Sequence, residues 1–198
     1  MGHFNITSSD YSIAMGNENS VAGSESVAMG YKNQILSTRS VAIGEQNLAS
    51  GQSGASSVVM GYKNTVTGSR SISMGYENSS GGSYSISMGQ SNTASGNNSV
   101  AMGYRNSLDG SYSVFMGKQN NWNGSTYESS SDFAFAVGEK NMIYSGANGS
   151  VAMGMNNTVS AGASVSVAMG FMNTASGEYS VAMGHKNKSG GIASVATG

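Results

Sequence analysis

The chain has no cysteine and no proline among its 198 residues, a single tryptophan, and only 10% charged residues. Without cysteine there is no disulfide framework and no thiolate metal site. Without proline, nothing interrupts long ladders of strand hydrogen bonds. Nine Lys and Arg stand against ten Asp and Glu, for a formal net charge of −1. That balance offers no field to draw in nucleic acid or an anionic membrane surface. No apolar run approaches the roughly 20 residues of a membrane-spanning helix. The opening "MGHFNITSSD" has neither a basic nor an apolar segment of the kind that leads a secretory signal. Hydrophobic residues make up 38% of the chain, too little for a thick globular core.

What is plentiful is glycine, 29 residues of it, and much of it is periodic. The stretch "SVAMGYKN" at 26–33 returns as "SISMGYEN" at 71–78, "SVAMGYRN" at 99–106 and "SVAMGHKN" at 180–187. Its glycine serves as an anchor, at Gly2, Gly16, Gly30, Gly44, Gly61, Gly75, Gly89, Gly103, Gly117, Gly138, Gly154, Gly170, Gly184 and Gly198. Nine of the thirteen gaps are 14 residues; the others are 16, 16, 17 and 21. A fixed period with occasional longer copies marks a solenoid whose extra residues leave as loops. Three residues after every anchor but the last stands an asparagine: Asn5, Asn19, Asn33, Asn47, Asn64, Asn78, Asn92, Asn106, Asn120, Asn141, Asn157, Asn173 and Asn187. The Gly-x-x-Asn corner is therefore constant and the added length falls in the second half of the repeat. The array starts and stops on its anchor without capping repeats, as expected of a segment of a longer protein.

A period of 14 is two heptads, but glycine, serine and asparagine throughout argue against a coiled coil. The local pattern is alternation. Three residues before the anchor stands Val or Ile (Val27, Val41, Ile72, Ile86), and one before it mostly Met (Met29, Met60, Met74, Met88), with a small residue between. That is a strand with period two. Five residues after the anchor the chain is often apolar again (Val21, Ile35, Val66, Leu108, Val159), and a second glycine often follows at +7. Each repeat thus reads strand, corner, short strand, corner. Fourteen residues are too few for a three-sided coil and fit a flattened two-sided roll, with rungs stacked about 4.8 Å apart. The pattern predicts an all-β parallel β-roll of about 14-residue rungs over 1–198, with one larger loop near 125–132.

Three expectations about side chains follow. The Val/Ile at −3 and Met at −1 should fill the interior with the residues at +5. The asparagines Asn19, Asn33, Asn47, Asn64, Asn78, Asn92, Asn106 and Asn120 should point inward as a ladder of stacked amides. The small residues at −2, among them Ala14, Ala28, Ala42, Ala101, Ala152, Ala168 and Ala182, should form an outer stripe against a second copy of the chain, because the thin roll buries little apolar area by itself.

Chemistry-bearing patterns are scarce. His3 and His185 both stand at +1, a corner slot elsewhere held by Tyr31, Tyr62, Tyr76 or Tyr104. No zinc spacing exists, the calcium nonapeptide pattern lacks its aspartate in "GGSYSISMG", and carboxylates such as Glu45, Glu77 and Asp109 stand singly, unlike the pair of a glycosidase. The reading is a non-enzymatic chain with no cofactor and no metal. Basic residues at +2 (Lys32, Lys63, Arg105, Lys140, Lys186) share their edge with Glu18 and Glu77, which makes a solvated edge. The longest gap, 117–138, adds seven residues and carries the only tryptophan, Trp122, at the +5 core slot. Its added segment, with Ser125, Thr126, Tyr127, Glu128 and Asp132, is the candidate binding loop, since aromatic side chains on a scaffold loop make good contacts. Shorter additions fall near 53–56 and in 138–154 and 154–170.

Ser40, Val41, Ala42, Ile43, Gly44, Asn47, Ala49 and Gly51 match the pattern S-V-A-I-G-x-x-[SN]-x-A-x-G, and copies such as "SVAMGFMNTASGEYS" extend it along the chain. This resembles the head repeats of trimeric autotransporter adhesins of the YadA type. The resemblance implies a left-handed parallel β-roll, a homotrimer, a place on the cell surface through an outer-membrane anchor outside this segment, and attachment to a host or matrix protein or glycan receptor. It departs from the family in having Met where Ile is usual before the anchor. Two other readings fit a repeat of this kind: a phage or viral fibre or tail-spike segment, and a structural extracellular filament.

Overall fold

The computed structural model describes residues 2–51, 55–121 and 131–198. All its regular elements are strands. Two compact units, 1–98 and 99–198, follow the same plan.

In the first unit, five-residue strands run through the anchors: Ile13–Asn17, Val27–Tyr31, Val41–Glu45, Val58–Tyr62, Ile72–Tyr76 and Ile86–Gln90. They pair in parallel with the repeat in register, Val27 on Val41, Ala28 on Ala42, Met29 on Ile43 and Gly30 on Gly44. Two-residue strands form the second wall, including Ser20–Val21, Gln34–Ile35, Leu48–Ala49, Thr65–Val66 and Ser79–Ser80. In the second unit the long strands are Val100–Tyr104, Val114–Lys118, Phe135–Glu139, Val151–Met155, Val167–Phe171 and Val181–His185. The short wall there includes Ser107–Leu108, Met142–Ile143, Thr158–Val159 and Thr174–Ala175. Each unit is a parallel β-solenoid with rungs of about 14 residues, as the period requires.

The two corners use glycine differently. At the anchor, Gly30 has φ +121°, and a Cβ there would overlap the Gly44 carbonyl of the next rung. At the second corner, Gly23 has no such φ; it is needed because a Cβ would strike the Ser37 carbonyl. The left-handed residues beside these glycines are mostly not glycine: Lys32 at +2 has φ 54° and Glu25 at +9 has φ 57°. Both positions repeat down the array, so every regular rung turns through two left-handed non-glycine residues.

The facing of the long strand corrects the sequence expectation. The side chains that point inward are those at −2. Ala28, Ala42, Val59, Ala101, Phe115, Ala136, Ala152, Ala168 and Ala182 are buried with 0% exposure, within a single chain, opposite Val21, Ile35, Val66, Leu108, Ile143 and Val159. Ala14 packs half-buried against the same core. These alanines cannot form an outer stripe against a partner. Val27 is half-buried and Met29 exposed, so the residues at −3 and −1 lie outside.

The cause is the corner. The Asn33 side chain reaches back only four residues to the Met29 carbonyl, at 3.1 Å, and so draws the two walls close. Alanine or serine opposite valine or isoleucine fills that slot; valine and methionine opposite them would overfill it.

Candidate interaction surface

The asparagines are interior. In the first unit, Asn33 donates its backbone N–H to Asn19 Oδ1 at 3.0 Å and its Nδ2 to the same oxygen at 2.9 Å. Nδ2 also donates to the Gly44 carbonyl at 2.7 Å. Asn47 then does to Asn33 what Asn33 does to Asn19, at 3.1 and 2.9 Å. Asn64 and Asn78 continue the pattern, and Asn92 donates to Asn78 Oδ1. In the second unit Asn120 bonds to Asn106, Asn141 to Asn120 and Asn157 to Asn141. These amides are fully used by their neighbours, which leaves them no capacity for an outside ligand.

A second buried ladder runs at the other corner, through the serine at −4. Ser26 Oγ donates to the Ser37 carbonyl at 3.1 Å and accepts from the Ser40 N–H at 3.0 Å. Ser71 repeats this with Gly82 and Ser85. The sequence carried its signal, the Ser of "SVAMG" present in every rung except the one with Ala134, but serine is so common in this chain that it did not stand out.

The outward face of the long strands is apolar. Column by column it presents Val or Ile, and once Phe135, at −3 and mostly Met at −1, register-matched as Met60 on Met74 and Met74 on Met88. Met15, Met29, Met116 and Met183 are 38–43% exposed. Next to this face, at +1 and +2, cations lie over tyrosine rings: Lys32 Nζ is 4.8 Å from the Tyr31 ring centre and Lys63 Nζ 5.1 Å from that of Tyr62. Lys32 also pairs with Glu18 at 3.4 Å. The Tyr31 hydroxyl first, and then Glu18, hold the Lys32 ammonium above its ordinary pKa. In the second unit Arg105 lies over the Tyr104 ring in the same way, 5.1 Å from its centre, and Lys118 pairs with Glu139 at 3.1 Å, while two later rungs present Met155, Phe171 and Met172, all exposed, at this corner.

The sequence's candidate binding loop falls mostly outside the described residues, as do Trp122, Ser125, Thr126, Tyr127 and Glu128. Its far end is described. Asp132 is exposed; its Oδ1 accepts from the Ser111 N–H at 2.7 Å, and its own N–H donates to Asn148 Oδ1 at 3.1 Å. Beside it the Phe133 ring stacks on Tyr112, 5.2 Å between centres and 6° from parallel, with both rings more than half exposed.

Asn121, the last described residue before 131, meets the next rung with its side-chain amide. Its Oδ1 accepts from the Ile143 N–H at 2.7 Å and its Nδ2 donates to the Ile143 carbonyl at 2.9 Å. One side-chain amide thus serves both backbone groups that a short strand serves elsewhere. Phe115, on the long strand of this rung, fills the interior where most rungs have alanine or serine.

Among the described residues, no group of three or more His, Asp or Glu is placed to hold a metal ion, and no helix is long and apolar enough to cross a membrane.

The sequence pattern of the YadA head domain repeat matches residues 2–33, 53–78, 80–106, 166–187 and 175–198, more than half of the chain. The chain belongs to the YadA head domain repeat family. A comparison with curated protein sequences finds no match. The head repeats of this family build adhesin heads. In this one, the strand that carries the family's motif places its alanine inside and its Val and Met outside.

Proposed function

We propose that the chain is a non-enzymatic adhesin head that works as a homotrimer on the cell surface. It attaches to host, matrix or neighbouring cells through a protein or glycan receptor. The observation that carries the assembly is the outward Val/Ile–Met face. A thin roll that spends its small residues inside and leaves aliphatic columns outside has that face to cover, and identical copies offer one another the same columns. Three copies display every contact three times, so weak single contacts add up as avidity. The contact loop is the segment with Ser125, Thr126, Tyr127, Glu128 and Asp132, supported by the stacked Tyr112–Phe133 pair exposed at its return.

Light scattering on the purified chain tests the assembly. The expected mass is three chains for the wild type and one chain for Met74→Lys/Met88→Lys, with strand circular dichroism kept in both. A wild type that stays a single chain at high concentration refutes the trimer. For attachment, deletion of 125–132 is expected to abolish adhesion to immobilised matrix proteins or glycans. Unchanged adhesion would remove the loop from the reading.

A further inference from the structure

The methionines are set apart from the fold. The chain has 14, and none of the described ones is buried; the buried apolar residues are Val, Ala, Ile, Leu and Phe. Most stand in one column, one residue before the anchor. Adjacent rungs bring them side by side in register, Met15 on Met29 and Met60 on Met74 in the first unit, Met153 on Met169 and Met169 on Met183 in the second. The column does not need sulfur for its geometry, since Ile43 pairs between Met29 and Met60 with the same strand register.

From this arrangement we infer that the methionine column is an oxidative modification site. A two-electron oxidant such as hydrogen peroxide converts its thioethers to sulfoxides and so prevents assembly without unfolding the rung. The inference rests on the assembly reading above. In the step, sulfur attacks one peroxide oxygen, an S–O bond forms and the O–O bond breaks. Sulfur is oxidised by two electrons and the other oxygen leaves as water.

The product is a polar acceptor where there was a flexible apolar side chain. On the free chain it is hydrated at no cost, because it stands outside the core. Against the aliphatic face of a second copy it would be buried without a donor, which opposes assembly. Register multiplies the effect, because neighbouring rungs place sulfoxides next to one another in rows interrupted only at Ile43 and Val137. A core methionine would have the opposite consequence, since its oxidation would disrupt the fold itself.

The experiment uses the full chain, unfolded in guanidinium so that every thioether is reachable. One portion is treated with hydrogen peroxide and one is mock-treated; both are refolded. Mass spectrometry counts added oxygens, circular dichroism reads the strands, and light scattering reads the mass. The expected result is one oxygen on each column methionine, an unchanged strand spectrum, and single chains where the mock sample gives trimers. Replacing Met29, Met60, Met74 and Met88 by Ile, the residue at position 43, is expected to restore trimers after peroxide in proportion to the sulfoxides prevented. Refolded trimers that carry the sulfoxides overturn the inference and leave the assembly reading standing. Loss of the strand spectrum in the oxidised sample overturns it too. A mock sample of single chains overturns the assembly reading, and this inference with it.

Discussion

Asn33 is the place to break the amide ladder. Its replacement by alanine removes the oxygen that accepts from the Asn47 backbone N–H and from Asn47 Nδ2. It also removes the donor to Asn19 Oδ1, Met29 O and Gly44 O. Asn33 and Asn47 are each 1% exposed, so water does not replace these partners. A buried N–H left without an acceptor costs about 1–3 kcal/mol, and the loss of the amide's two N–H donors costs about 1 kcal/mol each, which puts Asn33→Ala at about 3–5 kcal/mol. Asn33→Asp separates the two halves of the role. It keeps the acceptor for Asn47 but turns a second oxygen toward the carbonyls of Met29 and Gly44. Burial beside those carbonyls raises the folded-state pKa of the new carboxyl above its unfolded value, and its protonated form restores one donor. Folding then binds a proton. The variant's stability is greatest below the unfolded carboxyl pKa of about 4 and is lost as pH rises through the folded one. The assay is guanidinium unfolding followed by circular dichroism from acid to neutral pH, each variant read as its difference from wild type at the same pH. An Asn33→Ala chain within about 0.5 kcal/mol of wild type, or an Asn33→Asp chain whose deficit does not change with pH, refutes the claim that these buried bonds hold the rungs together.

Asn121→Ala strips both the N–H and the carbonyl of buried Ile143 of their partners. An expected loss of about 2–4 kcal/mol should appear as faster hydrogen exchange at the Ile143 amide, with exchange in Val27–Tyr31 unaffected. Val165 is a β-branched residue at φ 54° where the preceding rung has Gly149 at φ 70°, so Val165→Asn is expected to raise stability by about 0.5–1 kcal/mol. The midpoint of guanidinium unfolding measures it, and a fall in the midpoint would contradict the strain argument.

The period, the constant corner and the buried asparagines were legible because they depend on spacing alone. The facing of the strand was not. Alternation separates two faces, but it identifies the inner one only when the other is polar, and here Ala28 on one face and Val27 and Met29 on the other are all apolar. The width between the walls decides, and that width is fixed by how far Asn33 reaches, a three-dimensional quantity. Asn121 was illegible for a different reason. It follows the ladder residue Asn120 and reads as one more polar residue of an insertion; its role exists only because Ile143, 22 positions later, lies beside it.

The asparagine ladder keeps one geometry whatever the length of chain between its members. The backbone N–H to Oδ1 distance is 3.0 Å across 14 residues from Asn19 to Asn33, 3.0 Å across 17 from Asn47 to Asn64, and 3.1 Å across 21 from Asn120 to Asn141. Each unit is in this respect a sewn book, with its pages fixed along the spine and free to differ in width at the opposite edge. A foreign peptide spliced in after the short strand of a rung, on the edge where nature has already added residues, should leave the stitching untouched. Successive rungs could then carry different passengers in a fixed order, which makes the array a scaffold for displaying peptides at set intervals.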